Sequence, residues 1–101
     1  LLEEKGDLAG AEALYREALE GRRETLGDQH LDTLASINNL GELLYAKGDL
    51  DGAEALLREA LEGRRETLGD RHQHTLISIV GLGSVVRAKG DLGGAEALLR
   101  E

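Results

Sequence analysis

The 101-residue sequence contains no cysteine, proline, methionine, tryptophan or phenylalanine, and its only two aromatic residues are tyrosines. Without cysteine the chain can form no disulfide bond, no thiolate metal site and no cysteine nucleophile. No apolar run approaches the roughly 20 residues that a membrane-spanning helix needs. A core without large rings must be built from Leu, Ile, Val and Ala, which predicts a thin core between closely packed elements.

Basic residues are in the minority, 12 against 20 acidic ones, so the formal net charge is −8. This charge argues against binding to duplex nucleic acid, which depends on Lys and Arg releasing counterions. It argues equally against anionic membrane surfaces. The simpler interpretation of the acidic excess is a solvated helical surface. The alternative is an acidic groove that selects basic ligands.

The sequence repeats itself with a period of 42 residues. Gly6, Gly48 and Gly90 each open a stretch of the form GDLxGAEALxRE, and residues 6–47 and 48–89 share about 30 of their 42 positions. A fixed period of this length is the signature of a solenoid, in which one supersecondary unit stacks on copies of itself. The period alone therefore predicts that the chain is one array of repeats.

Each period contains two helical patterns, and no strand pattern of period two occurs. Helices are predicted at residues 8–26, 31–47, 50–68 and 73–89, after a helix end at residues 1–5. Gly-Asp pairs are expected to turn the chain, because Gly closes one helix and Asp caps the next. The predicted connections are Gly6-Asp7, 27–30, Gly48-Asp49, 69–72 and Gly90-Asp91.

Apolar residues at three- and four-residue spacing predict the buried stripe of each helix type. In the first type the stripe consists of Ala11, Leu14, Tyr15, Ala18 and Leu19. In the second type it consists of Leu34, Ile37, Leu40, Gly41 and Leu44. Gly21 and Gly63 interrupt the first type at equivalent places, where a glycine costs about 1 kcal/mol relative to alanine. Their recurrence predicts close approach of a neighbouring helix, although duplication alone would also copy them.

The second helix type, its turn and the following first type resemble the tetratricopeptide pattern. That pattern has a large residue, Leu-Gly and a Tyr-like residue on helix A, then Ala, a large apolar residue and Ala on helix B. The matching residues here are Ile37, Leu40-Gly41, Leu44, Gly48, Ala53, Leu57 and Ala60. The 42-residue period and the strings AExLxRxAL and LGDxH resemble the kinesin-light-chain type of the family. The family's proline after the loop His is absent, since Leu31 and Gln73 stand there.

The resemblance implies an all-α fold, an α-α superhelix of antiparallel helix hairpins. Residues 1–26 would be the end of a helix A plus helix B, 31–68 a complete repeat, and 73–101 a helix A plus a truncated helix B. It also implies that helices A line a concave groove that binds a peptide or protein segment, without catalysis or cofactor. A cytoplasmic location is the family default.

Carried over by position, the groove-lining residues are Ala35, Asn38, Asn39, Glu42 and Tyr45, then Ile77, Val80, Gly81, Ser84 and Arg87. Asn38 and Asn39 are the sharpest candidates, because an amide can both donate to and accept from a peptide backbone. The structural alternative is that one Asn faces the groove while the other bonds helix groups nearby. No Lys and Arg set is present to clamp a C-terminal carboxylate, so a chaperone-tail receptor is not expected.

Two rival functions remain besides a peptide-binding scaffold. The chain can be a structural spacer or oligomerisation segment of a longer array, with self-association through ends where Leu2, Leu98 and Leu99 are under-covered. An enzyme would need a catalytic domain elsewhere, since no nucleophile with its base and no phosphate loop occurs. His72, His74 and Asp70 are too few for a closed metal site, and no metal is expected.

Overall fold

The computed structural model describes the backbone of residues 5–90 and the side chains of residues 7–90. This part of the chain consists of four helices, which are α1 Lys5–Leu26, α2 Leu31–Lys47, α3 Leu50–Leu68 and α4 Gln73–Ala88. Each helix packs on the next, and α2 also meets α4. Because the connections are two to four residues long, neighbouring helices run antiparallel. The predicted all-α repeat architecture is confirmed, and α2 and α3 have the predicted bounds.

The turn between α2 and α3 forms as the Gly-Asp pair predicts. Gly48 has φ +93°, a left-handed conformation that a side chain would strain. The amide of Asp49 donates to the carbonyl of Leu44 at 2.9 Å, which closes α2. The Asp49 carboxylate then accepts from the amide of Gly52 at 3.0 Å and caps α3. Two residues therefore reverse the chain with most end groups satisfied.

Histidine replaces the usual caps at the start of the second helix type. His30 has an extended backbone, and its Nδ1 accepts from the amide of Asp32 at 3.0 Å. His72 repeats the arrangement with the amide of His74 at 3.0 Å. These caps allow α2 and α4 to begin at Leu31 and Gln73 without a proline. The loop histidines thus have a structural task, and no cluster of three potential metal ligands occurs among residues 5–90.

The prediction of a turn at Gly6-Asp7 is wrong for this structure. Helix α1 begins at Lys5 and runs through both residues. Gly48 follows the last residue of α2 and has a left-handed φ, whereas Gly6 lies inside α1. Gly90 has the left-handed φ of +95° that its predicted turn requires. Asp91, Leu2, Leu98 and Leu99, for which predictions were also made, lie outside the described residues.

The core lies between α2, α3 and α4. All five residues of the predicted α2 stripe are buried, which confirms that part of the pattern. The buried apolar side chains are Leu19, Leu34, Ile37, Leu40, Leu44, Ala53, Leu57, Ala60, Leu61, Ile79, Leu82, Val85 and Val86. The core contains no ring, as the composition predicted. Within the described residues no helix has the length and hydropathy to cross a membrane.

The predicted stripe of α1 is wrong for three of its five residues. Leu19 is buried and Ala11 is half-buried, but Leu14, Tyr15 and Ala18 are exposed, Leu14 by 67%. The physical reason is the number of neighbours. Helix α3 lies between α2 and α4, whereas α1 packs only on α2 among the described helices. The same amphipathic pattern is therefore covered on both sides in α3 and on one side in α1.

Gly21 and Gly63, which interrupt the first helix type, also differ in how closely a neighbouring helix packs on them. A Cβ on Gly63 would lie 2.4 Å from Cδ2 of Leu34, so α3 approaches α2 closely here, as predicted. A Cβ on Gly21 would meet nothing within 4 Å. The close approach is thus confirmed at Gly63 and absent at Gly21, whose repeat-equivalent neighbour is not among the described residues. The glycine is copied, but only one copy has a packing reason in this structure.

Equivalent ion pairs tie the helix ends together in both periods. Lys47 of α2 bonds the carboxylate of Glu12 on α1, and Lys89 bonds Glu54 on α3, with Nζ and Oε1 2.6 Å apart. These hydrogen bonds from lysine lower the pKa of Glu12 and the pKa of Glu54. Such exposed pairs contribute little individually to the free energy of unfolding. Their recurrence shows that the α1–α2 and α3–α4 junctions share one geometry.

We expect Gly63→Ala and Gly21→Ala to change stability in opposite directions. The methyl at residue 63 must displace the fully buried Leu34, which typically costs about 1–3 kcal/mol. At residue 21 the methyl meets open space, so the helix gains about 0.5–1 kcal/mol from the loss of glycine. Denaturant unfolding of both variants measures the difference. Equal effects would contradict the different packing of the two sites.

A candidate functional site between α2 and α4

An apolar groove runs between α2 and α4, with Leu57 of α3 beneath it. Its volume is about 620 Å³. The residues that line it are Glu42, Tyr45, Leu57, Gln73, Leu76, Ile77, Val80, Gly81 and Ser84. This volume lies within the range of small-molecule and peptide-anchor pockets. The groove is therefore large enough to receive several side chains of a ligand.

A glycine lets Leu57 reach the floor of the groove. A Cβ on Gly41 would lie 2.9 Å from Cγ of Leu57, so the bare backbone of α2 makes room for this side chain. Gly81 on the opposite wall is less crowded, because its added Cβ would lie 3.6 Å from Glu42 Oε2 and 3.7 Å from Leu57 Cδ1. Small residues in both walls thus bring α2 and α4 together over α3.

The walls of the groove expose several large apolar side chains. Tyr45, Leu76, Ile77 and Val80 are each between 40% and 56% exposed, although all four are large apolar side chains. They share one groove, so their exposed surface is contiguous. Contiguous exposed apolar surface with a polar rim marks interaction sites on soluble proteins. Glu42 carries the one ionised group in the lining among residues 7–90.

The structure brings together six of the ten predicted groove-lining residues. Glu42 and Tyr45 lie on the α2 wall, and Ile77 and Ser84 lie on the α4 wall with Val80 and Gly81. Arg87 is exposed on α4 three residues beyond Ser84 and does not line the groove. These six residues share one surface, and their contact with a ligand stays a prediction.

Asn38 is buried between helices instead of lining the groove. It is 3% exposed, and its Oδ1 accepts a hydrogen bond of 2.8 Å from the hydroxyl of Ser78 on α4. Its Nδ2 donates to Oε2 of Glu42 at 3.2 Å. This placement matches the structural alternative for one of the two Asn residues. The Asn38 amide therefore bonds neighbouring helices and is not presented to a peptide in the groove.

Asn38 belongs to a chain of polar groups that crosses three helices, here called the polar relay. Its members are Arg64 of α3, Ser78 of α4, and Asn38 and Glu42 of α2. Arg64 Nη1 donates to Ser78 Oγ at 3.0 Å and to the carbonyl of His74 at 3.1 Å. Burial lowers the pKa of Arg64, and the negative charge of Glu42 opposes this. The relay thus ends in opposite charges, which compensates the buried cation.

Asn39 does not line the groove between α2 and α4. It lines a second pocket of about 220 Å³ together with Tyr15, Ala18, Arg22 and Ser36. This pocket lies between α1 and α2, one repeat before the equivalent part of the groove. The predicted pair of adjacent amides is therefore divided, with Asn38 inside the α2–α4 junction and Asn39 exposed on the α1 side. Adjacent residues of a helix point about 100° apart, which allows the helix junction to bury one Asn and leave the other exposed.

Several residues of the site were not predicted. Leu57, Gln73 and Leu76 line the groove, and Arg64 and Ser78 build the relay beside it. A signal for the relay was present in the second helix type, because Ser36 and Ser78 are identical at equivalent positions of two otherwise divergent helices. Such an identity of polar residues indicates a shared structural task. Leu76 offered no such signal, because its equivalent is the fully buried Leu34.

Comparison with known proteins agrees with the geometry. A sequence model of the tetratricopeptide repeat matches residues 1–66 and again residues 34–101. The chain belongs to the tetratricopeptide repeat family. The crystal structure of BtubC (BKLC) from P. vanneervenii is similar, with 32% identity and a TM-score of 0.85 over 92% of this chain. No curated protein matches significantly.

The alignment with BtubC covers 37% of that chain, so this chain spans well under half of its relative. Together with the 42-residue period, the likeness places the chain in the kinesin-light-chain-like type of the family. Tetratricopeptide repeats generally mediate protein–protein interaction and are generally not catalytic. The comparisons thus give the class of function, while the residues of the groove must indicate the ligand.

We expect Asn38→Ala to destabilise the protein and Asn39→Ala to leave its stability nearly unchanged. The first substitution leaves the buried Ser78 hydroxyl without its acceptor, which costs about 1–3 kcal/mol. The second removes an exposed amide, for which changes within about 0.5 kcal/mol are usual. Thermal and denaturant unfolding would measure both. Equal stability of the two variants would contradict the placement of Asn38 in the relay.

Proposed function

We propose that the groove between α2 and α4 binds a peptide or protein segment of a partner. The observation that carries the proposal is the contiguous apolar surface of Tyr45, Leu76, Ile77 and Val80 over a cavity of about 620 Å³. Removing apolar surface from water is favourable, and full burial of a large apolar side chain contributes about 1.5–3 kcal/mol to the free energy of association. The groove is therefore suited to apolar anchor residues.

The charged groups at the groove indicate which ligands it favours. Glu42 lies at the wall with one carboxylate oxygen bonded to Asn38, so it can still accept a bond from a ligand cation. Arg64, the nearest cation of the relay, is buried and engaged with Ser78. The ligand favoured by this arrangement has apolar anchors next to a Lys or Arg. Arg87, past the end of the groove, is proposed to contact a ligand that extends beyond Ser84.

A peptide-display selection on the full chain tests this proposal. Selected peptides are expected to contain apolar residues next to Lys or Arg, and Ile77→Gln with Val80→Gln is expected to weaken their binding about tenfold or more. Both side chains are half exposed, so the fold should tolerate the change. Glu42→Gln keeps an acceptor for Asn38 and is expected to weaken basic peptides about two- to fivefold.

The matched control is Leu14→Gln with Leu31→Gln, which removes similarly exposed apolar side chains outside the groove. This variant should bind selected peptides as the unmodified chain does. Enrichment of peptides that bind both variants equally would contradict the groove as the site. The absence of any enriched peptide from a folded chain would count against the proposal and in favour of a purely structural role.

A second candidate function is a structural segment that packs against further helical units. The exposed Leu14 and the 43% exposed Tyr15 favour it, because their equivalents Leu56 and Leu57 are covered by α2. We expect weak, concentration-dependent self-association in sedimentation equilibrium, reduced by Leu14→Gln with Tyr15→Gln. A chain that stays monomeric at millimolar concentration would contradict association through this face.

A further inference from the structure

Gly81 is a glycine in the interior of α4 that packing does not require. At Gly41 and Gly63 an added Cβ would lie 2.9 and 2.4 Å from a leucine side chain of the facing helix, so a glycine is needed there. At Gly81 the nearest atoms would lie between 3.6 and 3.9 Å from the added Cβ, which is ordinary van der Waals contact. Its backbone is helical, a conformation that alanine also adopts. Gly81 therefore weakens α4 without a gain in packing.

Duplication does not explain Gly81 either. Gly21 also has open space at the position of its Cβ, but its counterpart 42 residues later is the closely packed Gly63. The counterpart of Gly81 is Asn39, so the glycine is found in one period only. A residue that breaks a local rule of helix stability without a packing reason is expected to have a functional one.

The missing side chain leaves a gap in the α4 wall of the groove, here called the Gly81 notch. The atoms of the facing helices nearest to an added Cβ are Glu42 Oε2 at 3.6 Å and the methyl carbons of Leu57, Cδ1 at 3.7 Å and Cδ2 at 3.9 Å. Val80 and Ser84 of α4 line the groove beside the notch. The notch is thus bounded by one carboxylate oxygen and by apolar groups.

Glu42 has an unpaired negative charge at this notch. Its Oε2 accepts a hydrogen bond of 3.2 Å from Asn38 Nδ2, and within residues 7–90 it forms no ion pair. Arg64 feels this charge through space, but its Nη1 donates to Ser78 and to the carbonyl of His74. A ligand cation that enters the notch would therefore meet a carboxylate that no other side chain of this region neutralises by direct contact.

The notch favours lysine over arginine. Oε2 is the carboxylate oxygen beside the notch, and it already accepts one hydrogen bond. A lysine ammonium is a compact charge that one acceptor can hold, and its apolar stem can pack on Leu57 and Val80. Arginine gains its advantage from two parallel bonds to both oxygens of a carboxylate, which is a poorer match to a single facing oxygen.

We propose that Gly81 determines the specificity of the groove by admitting a lysine side chain of the ligand to Glu42. The inference rests on the groove as the binding site proposed above. The lysine stem crosses the bare backbone of Gly81, and its ammonium pairs with Glu42 Oε2. A side chain at residue 81, even the methyl of alanine, would stand in the path of that stem.

Gly81→Ala separates this role from a structural one. The methyl fits without displacing a neighbour and replaces a glycine inside a helix, so the folding equilibrium constant is expected to rise about two- to fivefold. Affinity for a lysine-containing peptide is expected to fall about fivefold in the same variant. The matched control is Gly21→Ala, which also adds a methyl in open space but lies outside the groove. The control should gain similar stability and bind as the unmodified chain does.

The probes are peptides selected from a random library on the unmodified chain and then synthesised with lysine, arginine or norleucine at the basic position. Calorimetry gives their dissociation constants for the unmodified chain, Gly81→Ala, Glu42→Gln and the double variant. The lysine peptide is expected to bind about fivefold more tightly than the norleucine peptide, and more than twofold more tightly than the arginine peptide. Gly81→Ala should abolish the advantage over norleucine. Glu42→Gln should then add little, because both changes remove the same contact.

Each other outcome overturns a stated part. Equal binding of the lysine and arginine peptides would overturn the preference for lysine. Selected peptides without a basic residue, a lysine advantage that persists in Gly81→Ala, or additive losses in the double variant would overturn the role of Gly81 and leave the groove proposal intact. A destabilised Gly81→Ala chain would overturn the notch itself. If no peptide is enriched, or if Ile77→Gln with Val80→Gln leaves binding unchanged, the groove proposal fails and this one fails with it.

Discussion

The structure depends on the packing of α3 between α2 and α4. Leu57 lies at the centre of this contact, and its fit requires the bare backbone of Gly41. Gly63 makes the equivalent allowance for Leu34 farther along the same pair of helices. Because Leu34 and Leu57 are fully buried, each contributes about 1.5–3 kcal/mol to the free energy of unfolding. Because glycine lets the helices approach closely, the core is filled without large aromatic residues.

The polar relay fixes how that contact is arranged. Apolar packing alone would tolerate small shifts of α2 along α4. The hydrogen bond from Ser78 to Asn38, in contrast, forms at only one relative position of the two helices. The buried Arg64 strengthens this demand, because an uncompensated cation at this depth is costly. The relay also shapes the groove, since Glu42 is both its last member and the charged group of the groove wall. Junction geometry and the proposed ligand chemistry therefore share one residue.

The two copies of helix B, α1 and α3, show that neighbouring helices determine which residues of a sequence are buried. Residues 8–26 and 50–68 are nearly identical, yet among the described helices α3 packs on both α2 and α4, whereas α1 packs on α2 alone. Gly21 and Gly63, Tyr15 and Leu57, and Ser36 and Ser78 have correspondingly different surroundings. The divergent residues lie mainly in α2 and α4, whose facing sides form the groove.

The period, the bounds of α2 and α3 and the buried stripe of α2 were determined by the sequence alone, because helix periodicity and the Gly48-Asp49 turn act locally. Six groove residues were predicted through the family resemblance, which carries positions over one by one. Only tertiary structure decided that Asn38 is buried while Asn39 is exposed, because this depends on where Ser78 of another helix lies. The exposure of part of the α1 stripe was decided in the same way, because an apolar stripe is buried only where a neighbouring helix covers it.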